Sequence, residues 1–232
     1  MAKENPLASN LTLEQQKNLF GNAYLNMLWH CPTDQRFPYW VHLPDCYYDE
    51  KDPHYKLLVI IHGTGCAVED YVRHAKELAD RDHVAVLAPL FPGGLIQRDD
   101  FNSYKLLSCD GVRYDQILLD MIDDMAKRYP GVETDKFFLF GHSGGGQFVN
   151  RFLFAHPEKL RACAIGAPGR PTFLNPDEDY FWGTRDFKNY FGHDVDLAAV
   201  QKVPVLVIVG ENDTNIIGDS PYGDNPVAPM KS

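Results

Sequence analysis

The residues best placed to do chemistry lie in one run, Gly141-His142-Ser143-Gly144-Gly145-Gly146, between the apolar stretch Lys136 to Phe140 and an amphipathic stretch from Gln147 to His156. Gly-x-Ser-x-Gly set between a strand and a helix is the pattern of a nucleophile elbow. Glycines at 141 and 145 let strand and helix approach without side-chain clashes, while the serine takes a strained backbone at a sharp turn. The helix start behind it supplies backbone N–H groups and a positive dipole end. Ser143 is therefore the candidate nucleophile. The five-residue pattern alone recurs by chance, so the flanking strand and helix carry the assignment. His142 points the wrong way at such a turn and is read as shaping the elbow or the pocket.

Two further sites follow from the same logic. Ile60-Ile61 runs into His62-Gly63-Thr64-Gly65, a loop able to place amide donors beside the serine. Acyl transfer creates negative charge on a carbonyl oxygen, so the Thr64 and Gly144 N–H groups are the expected oxyanion hole. His62 is read as structural. Val209-Gly210-Glu211-Asn212-Asp213 places a carboxylate just past a buried strand, where an acid could orient a histidine, and Asp213 is preferred to Glu211 for its distance from the strand end.

The elements that position these residues are legible in the apolar runs. Continuous β-rich runs at 56–61, 84–90, 136–140, 162–167 and 203–209 read as strands buried on both faces. Residues 37–43 alternate as a half-buried strand. Stretches 69–80, 111–129 and 147–156 read as helices, and Leu11 to Trp29 spaces its apolar residues like a further helix. Alternating strand and helix implies α/β architecture, a mostly parallel central sheet with helices on both faces. The chain reads as a single domain over 1–232, with an aromatic-rich excursion at 171–201 expected to form a cap.

Composition narrows the function. Hydrophobic residues make up 44% and charged residues 23% of the 232, which suits a globular protein. A net charge of -10 without a basic run argues against nucleic acid or an anionic membrane as partner. Five scattered cysteines in no metal-binding spacing read as free thiols. Met1 to Asn10 lacks the apolar run of a signal peptide or membrane span, which favours a cytoplasmic protein.

Together, His62-Gly63, Gly141-His142-Ser143-Gly144-Gly145 and Gly210-Glu211-Asn212-Asp213, in that order, resemble the α/β-hydrolase superfamily over Lys56 to Asp213. The tract Phe154 to Ala162 is similar to its esterase and depolymerase-like branch. The resemblance implies hydrolysis of a carboxylic ester or similar acyl bond in a small-molecule substrate through an acyl-enzyme, without metal or organic cofactor. It also implies a histidine after the acid, yet all nine histidines precede Asp213. Three readings follow: a natural chain continuing beyond Ser232, a catalytically silent fold that binds a small molecule, or a base from elsewhere such as His193. Residues 214–232 read as loop, so the fold is expected to be C-terminally incomplete, and a sheet edge left open there would invite self-association.

Overall fold

The computed structural model describes residues 11–49 and 54–213. Its strands are β1 (Asn26–His30), β2 (Pro38–His42), β3 (Tyr55–Ile61), β4 (Val84–Pro89), β5 (Ser108–Cys109), β6 (Val112–Arg113), β7 (Val132–His142), β8 (Leu160–Gly166) and β9 (Val205–Ile208). Its α-helices are α1 (Leu13–Phe20), α2 (Val68–Asp82), α3 (Tyr114–Arg128), α4 (Gly144–Ala155), α5 (Phe187–Phe191) and α6 (Leu197–Val200). Seven strands form one sheet in the order β1-β2-β4-β3-β7-β8-β9, and β5 and β6 form a separate hairpin. From β4 to β9 all neighbours are parallel; β1 and β2 are antiparallel additions.

Strand alternation sorts the apolar residues between two faces. Leu57, Val59 and Ile61 of β3 join Ala85, Leu87, Phe137 and Leu139 in the main core, which includes Leu118 and Met121 of α3 and Phe148 and Phe152 of α4. Ile60 turns the other way and packs with Val86, Ala75 and Ala79, beside Leu58, Tyr71 and Phe140. That places α2 on the face opposite α3 and α4. Each fully buried Leu, Ile or Phe contributes roughly 1.5–3 kcal/mol, so the two faces hold the sheet in its layers.

The mostly parallel sheet between helices is the expected architecture, and the three central helices lie within a few residues of their expected spans. Leu11 to Trp29 is a correction. A Thr12–Gln15 capping box starts α1, but Gly21 at φ +54° ends it, a 3-10 turn follows, and Asn26 to His30 pair with β2 instead. Gly21 supplies a positive φ that a residue with a Cβ rarely adopts. The readings that fell on residues 1–10 and 214–232 lie outside the described residues. Among the described residues β9 pairs only with β8, and Val205 to Val209 are exposed.

Between β8 and β9 the chain crosses back over α4. Tyr180 sits at the centre of this segment against Phe181, Phe187, Tyr190 and Phe191, and its hydroxyl donates to the Leu106 carbonyl at 2.8 Å. Phe173 and Trp182 remain exposed, so the aromatics divide between packing and surface.

A buried ion network ties the start of α3 to the end of α4. Asp115 is fully buried and accepts from Arg113 Nε and Nη2 at 2.9 and 2.6 Å and pairs with His156 Nε2 at 2.8 Å. Burial pushes the Asp115 carboxyl up, but the hydrogen bonds from His156 and Arg113 outweigh it and hold the group below the usual carboxylate range. Its contribution is therefore complete above the ordinary aspartate range and is lost as pH falls through the depressed value. Asp115→Asn leaves two donors facing a neutral amide, and should destabilise the chain by about 3 kcal/mol in urea unfolding at pH 7. The deficit should shrink toward pH 2.

Candidate active site

The strand-to-helix turn at Ser143 is assembled by backbone contacts that exclude side chains. Ser143 adopts φ 55°, ψ -117°, a left-handed conformation rare for a residue with Cβ, and its side chain is exposed. Its N–H donates to the Gly166 carbonyl at 2.9 Å, and its own carbonyl accepts from Gln147 N at 3.1 Å. A Cβ on Gly145 would strike the Ile61 carbonyl and lie 2.8 Å from His62 O. One on Gly141 would strike the Gly145 carbonyl, and one on Gly146 the Gly166 carbonyl. The helix start is thus pressed onto the ends of β3 and β8, and three glycines are the condition for it.

The loop after β3 lies alongside. A Cβ on Gly63 would stand 3.8 Å from Ser143 Cβ, and one on Gly144 would stand 3.1 Å from Thr64 Oγ1. Neither the Thr64 nor the Gly144 N–H donates to a backbone or side-chain acceptor among the described residues, and for Gly144 the first turn of a helix leaves it so. His62 is buried. Its Nε2 accepts from the Phe91 N–H at 3.0 Å, which assigns the ring proton to Nδ1, where it meets the Gly63 carbonyl at 2.7 Å. Burial pushes its pKa down to about 4, with Lys105 acting in the same direction and the Gly63 bond against it. His62 is a neutral ring that braces the loop.

Asp213 lies past β9, exposed, its N–H donating to the Gly210 carbonyl at 3.0 Å. The parallel register aligns His142 with Gly166 and Gly166 with Ile208, which puts Ser143 and Asp213 at the same edge of the sheet with β8 between them. Strand spacing sets β7 and β9 about 10 Å apart. The Ser143 hydroxyl makes no hydrogen bond among the described residues. His193 is elsewhere. It lines a cavity of about 680 Å³ with Phe154, His156 and Glu158, at the far end of α4. The helix is 12 residues and so roughly 18 Å long, which takes His193 out of reach of Ser143.

Three residues near the elbow were not singled out by spacing. Tyr104 and Lys105, on a buried 3-10 turn over Ser103–Leu106, lie against Gly144, and the Tyr104 hydroxyl donates to the His62 carbonyl at 3.1 Å. Arg151, buried in α4, donates to the carbonyls of Lys105 at 2.9 Å and Arg170 at 3.0 Å and to Thr172 Oγ1 at 2.9 Å. Arg151, with Asn150 beside it, interrupting the apolar run Phe148 to Ala155 was the signal that could have found it.

No family model matches the chain, and no curated protein matches it by sequence. Solved structures do match. Poly(aspartic acid) hydrolase-1 from Sphingomonas sp. KT-1 superposes with a TM-score of 0.67 at 19% identity, over 85% of this chain and 76% of that one. A poly(3-hydroxybutyrate) depolymerase from Bordetella parapertussis gives 0.64 at 19%, over 90% and 73%. An S-formylglutathione hydrolase from Agrobacterium tumefaciens gives 0.55 at 15%, over 87% and 79%. The chain has the α/β-hydrolase fold. Within the α/β-hydrolase fold the strand-to-helix turn after β7 carries Ser143, and the loops after β3 and β9 carry Thr64 and Asp213 at the same sheet edge.

Two outcomes test this geometry. Gly145→Ala should cost at least about 1–3 kcal/mol in urea unfolding, because the atoms in its way are main-chain carbonyls that cannot swing aside. The His62 ring should keep its Nδ1–H tautomer at pH 5.5, where an ordinary imidazole is mostly charged, as read from its ring nitrogen shifts by NMR.

Proposed function

We propose that the chain is a serine hydrolase that cleaves a carboxylic ester or similar acyl bond through an acyl-enzyme on Ser143. The observation that carries this reading is the elbow: an exposed serine held left-handed at a strand end, with the unengaged amides of Gly144 and Thr64 beside it. The names of the structural neighbours, two hydrolases and a depolymerase, support it.

In this reading the Ser143 oxygen attacks the scissile carbonyl, and the carbonyl oxygen takes up negative charge facing the two N–H groups. Collapse expels the alcohol and leaves an ester on Ser143, which water then cleaves. Asp213 is the carboxylate in place to orient a histidine, which would take the serine proton and return it to the departing alcohol. No described histidine is hydrogen-bonded to Ser143, and that observation favours a second reading, a silent fold that keeps the pocket and binds a small molecule without turnover.

A fluorophosphonate probe and a short activated ester separate the two. Covalent labelling and ester turnover that both vanish in Ser143→Ala support the hydrolase. In a complete serine hydrolase the loss of the nucleophile costs on the order of a million-fold in turnover. An unlabelled chain with ester turnover equal to that of Ser143→Ala would favour the silent fold.

A further inference from the structure

A buried cation beside the elbow has no part in the chemistry above. Lys105 is 6% exposed. Its Cε lies over the elbow, 2.7 Å from where a Cβ on Gly144 would be, on the side where Thr64 Oγ1 also approaches. Its Nζ donates to Asn102 Oδ1 at 2.6 Å and stands 5.9 Å from the centre of the Tyr104 ring. Asn102 is the one acceptor for its three N–H groups, and it pairs with no carboxylate, among the described residues. Asp100, the acid that acts on it, already receives the Asn102 and Ser103 N–H groups at 2.8 and 3.1 Å. Arg151 from α4 and Arg170 from the loop after β8 face it as like charges, and Cys66 faces it from the loop after β3.

An unpaired buried ammonium costs stability unless something compensates it. Here the side chain packs against Gly144, whose N–H lies where the proposed acyl transfer brings negative charge. We propose that Lys105 supports the oxyanion site electrostatically, its side chain packed against Gly144 and its ammonium held nearby by Asn102, so that it stabilises the charge that grows on the carbonyl oxygen as Ser143 attacks. It acts through the field of a water-poor pocket, where a fixed charge carries farther than in solution. The proposal rests on the serine-hydrolase reading. Burial pulls the ammonium down to about 8, with Asp100 opposing, Arg151 lowering, Cys66 opposing and Arg170 lowering. The support is therefore complete well below pH 8 and is lost as pH rises through it.

The test is the rate at which a small fluorophosphonate phosphonylates Ser143 in the full chain, followed by intact mass from pH 6 to 10. It compares wild type, Lys105→Met, Lys105→Arg and Ser143→Ala. Lys105→Met should be slower at pH 7 by roughly tenfold to a hundredfold, less than the loss of a donor in direct contact. The wild-type rate should turn down above about pH 8, and both lysine variants should lack that limb, Lys105→Arg because its charge does not titrate. Equal rates for wild type and Lys105→Met, or a downturn retained in both variants, overturn the role of Lys105 while Ser143 labelling still stands. Absence of Ser143 labelling in every variant overturns the hydrolase reading, and this inference with it. If urea unfolding shows Lys105→Met unfolded, the profile of Lys105→Arg decides alone, and a persisting downturn refutes the proposal.

Discussion

Everything at the proposed site depends on one steric constraint: the first turn of α4 meets the carbonyl ends of β3 and β8 with no side chain between them. Gly145 against Ile61 and Gly146 against Gly166 set the distance, and Gly141 lets the helix fold back over the strand that delivers it. With the helix start so close, Ser143 joins the β7 ladder to the helix at φ 55°, a strained backbone held by the packing around it. The same closeness brings the Thr64 loop to the serine, because that loop leaves β3 where Gly145 touches it.

Around this contact the polar groups are arranged by burial. His62 is kept neutral and spends both ring nitrogens on backbone, which stiffens the turn from β3 without adding charge. Tyr104 closes the arrangement from above by bonding the His62 carbonyl. The positive side chains Lys105 and Arg151 collect near the start of α4 in a chain whose net charge is -10. A local positive field of this kind favours a negative charge brought near Gly144.

The sheet and its central helices were legible because β3, β4, β7, β8 and β9 each contain a short continuous apolar run followed by a turn. The strand-to-helix turn at Ser143 was legible because its glycines fall between an apolar strand run and an amphipathic stretch. Leu11 to Trp29 misled because its apolar spacing is helical across a boundary that Gly21 alone marks, and Asn26 to His30 become a strand only because β2 offers a pairing edge. Tyr104 and Lys105 were beyond reach for a different reason. They lie nearly forty residues before the serine in an irregular stretch, and their relation to Gly144 exists only once the loop is folded over α4.

Arg151 fixes that loop, and the way it does so has an evolutionary consequence. Its guanidinium reads main-chain oxygens at Lys105, Gln147 and Arg170, which every residue type presents alike, and calls for a particular side chain only at Thr172. The loops that frame the elbow can therefore exchange their side chains, and with them the chemistry offered to a ligand, while the anchor that holds their backbones stays the same. A lineage could retune such a site one substitution at a time and leave its framework intact.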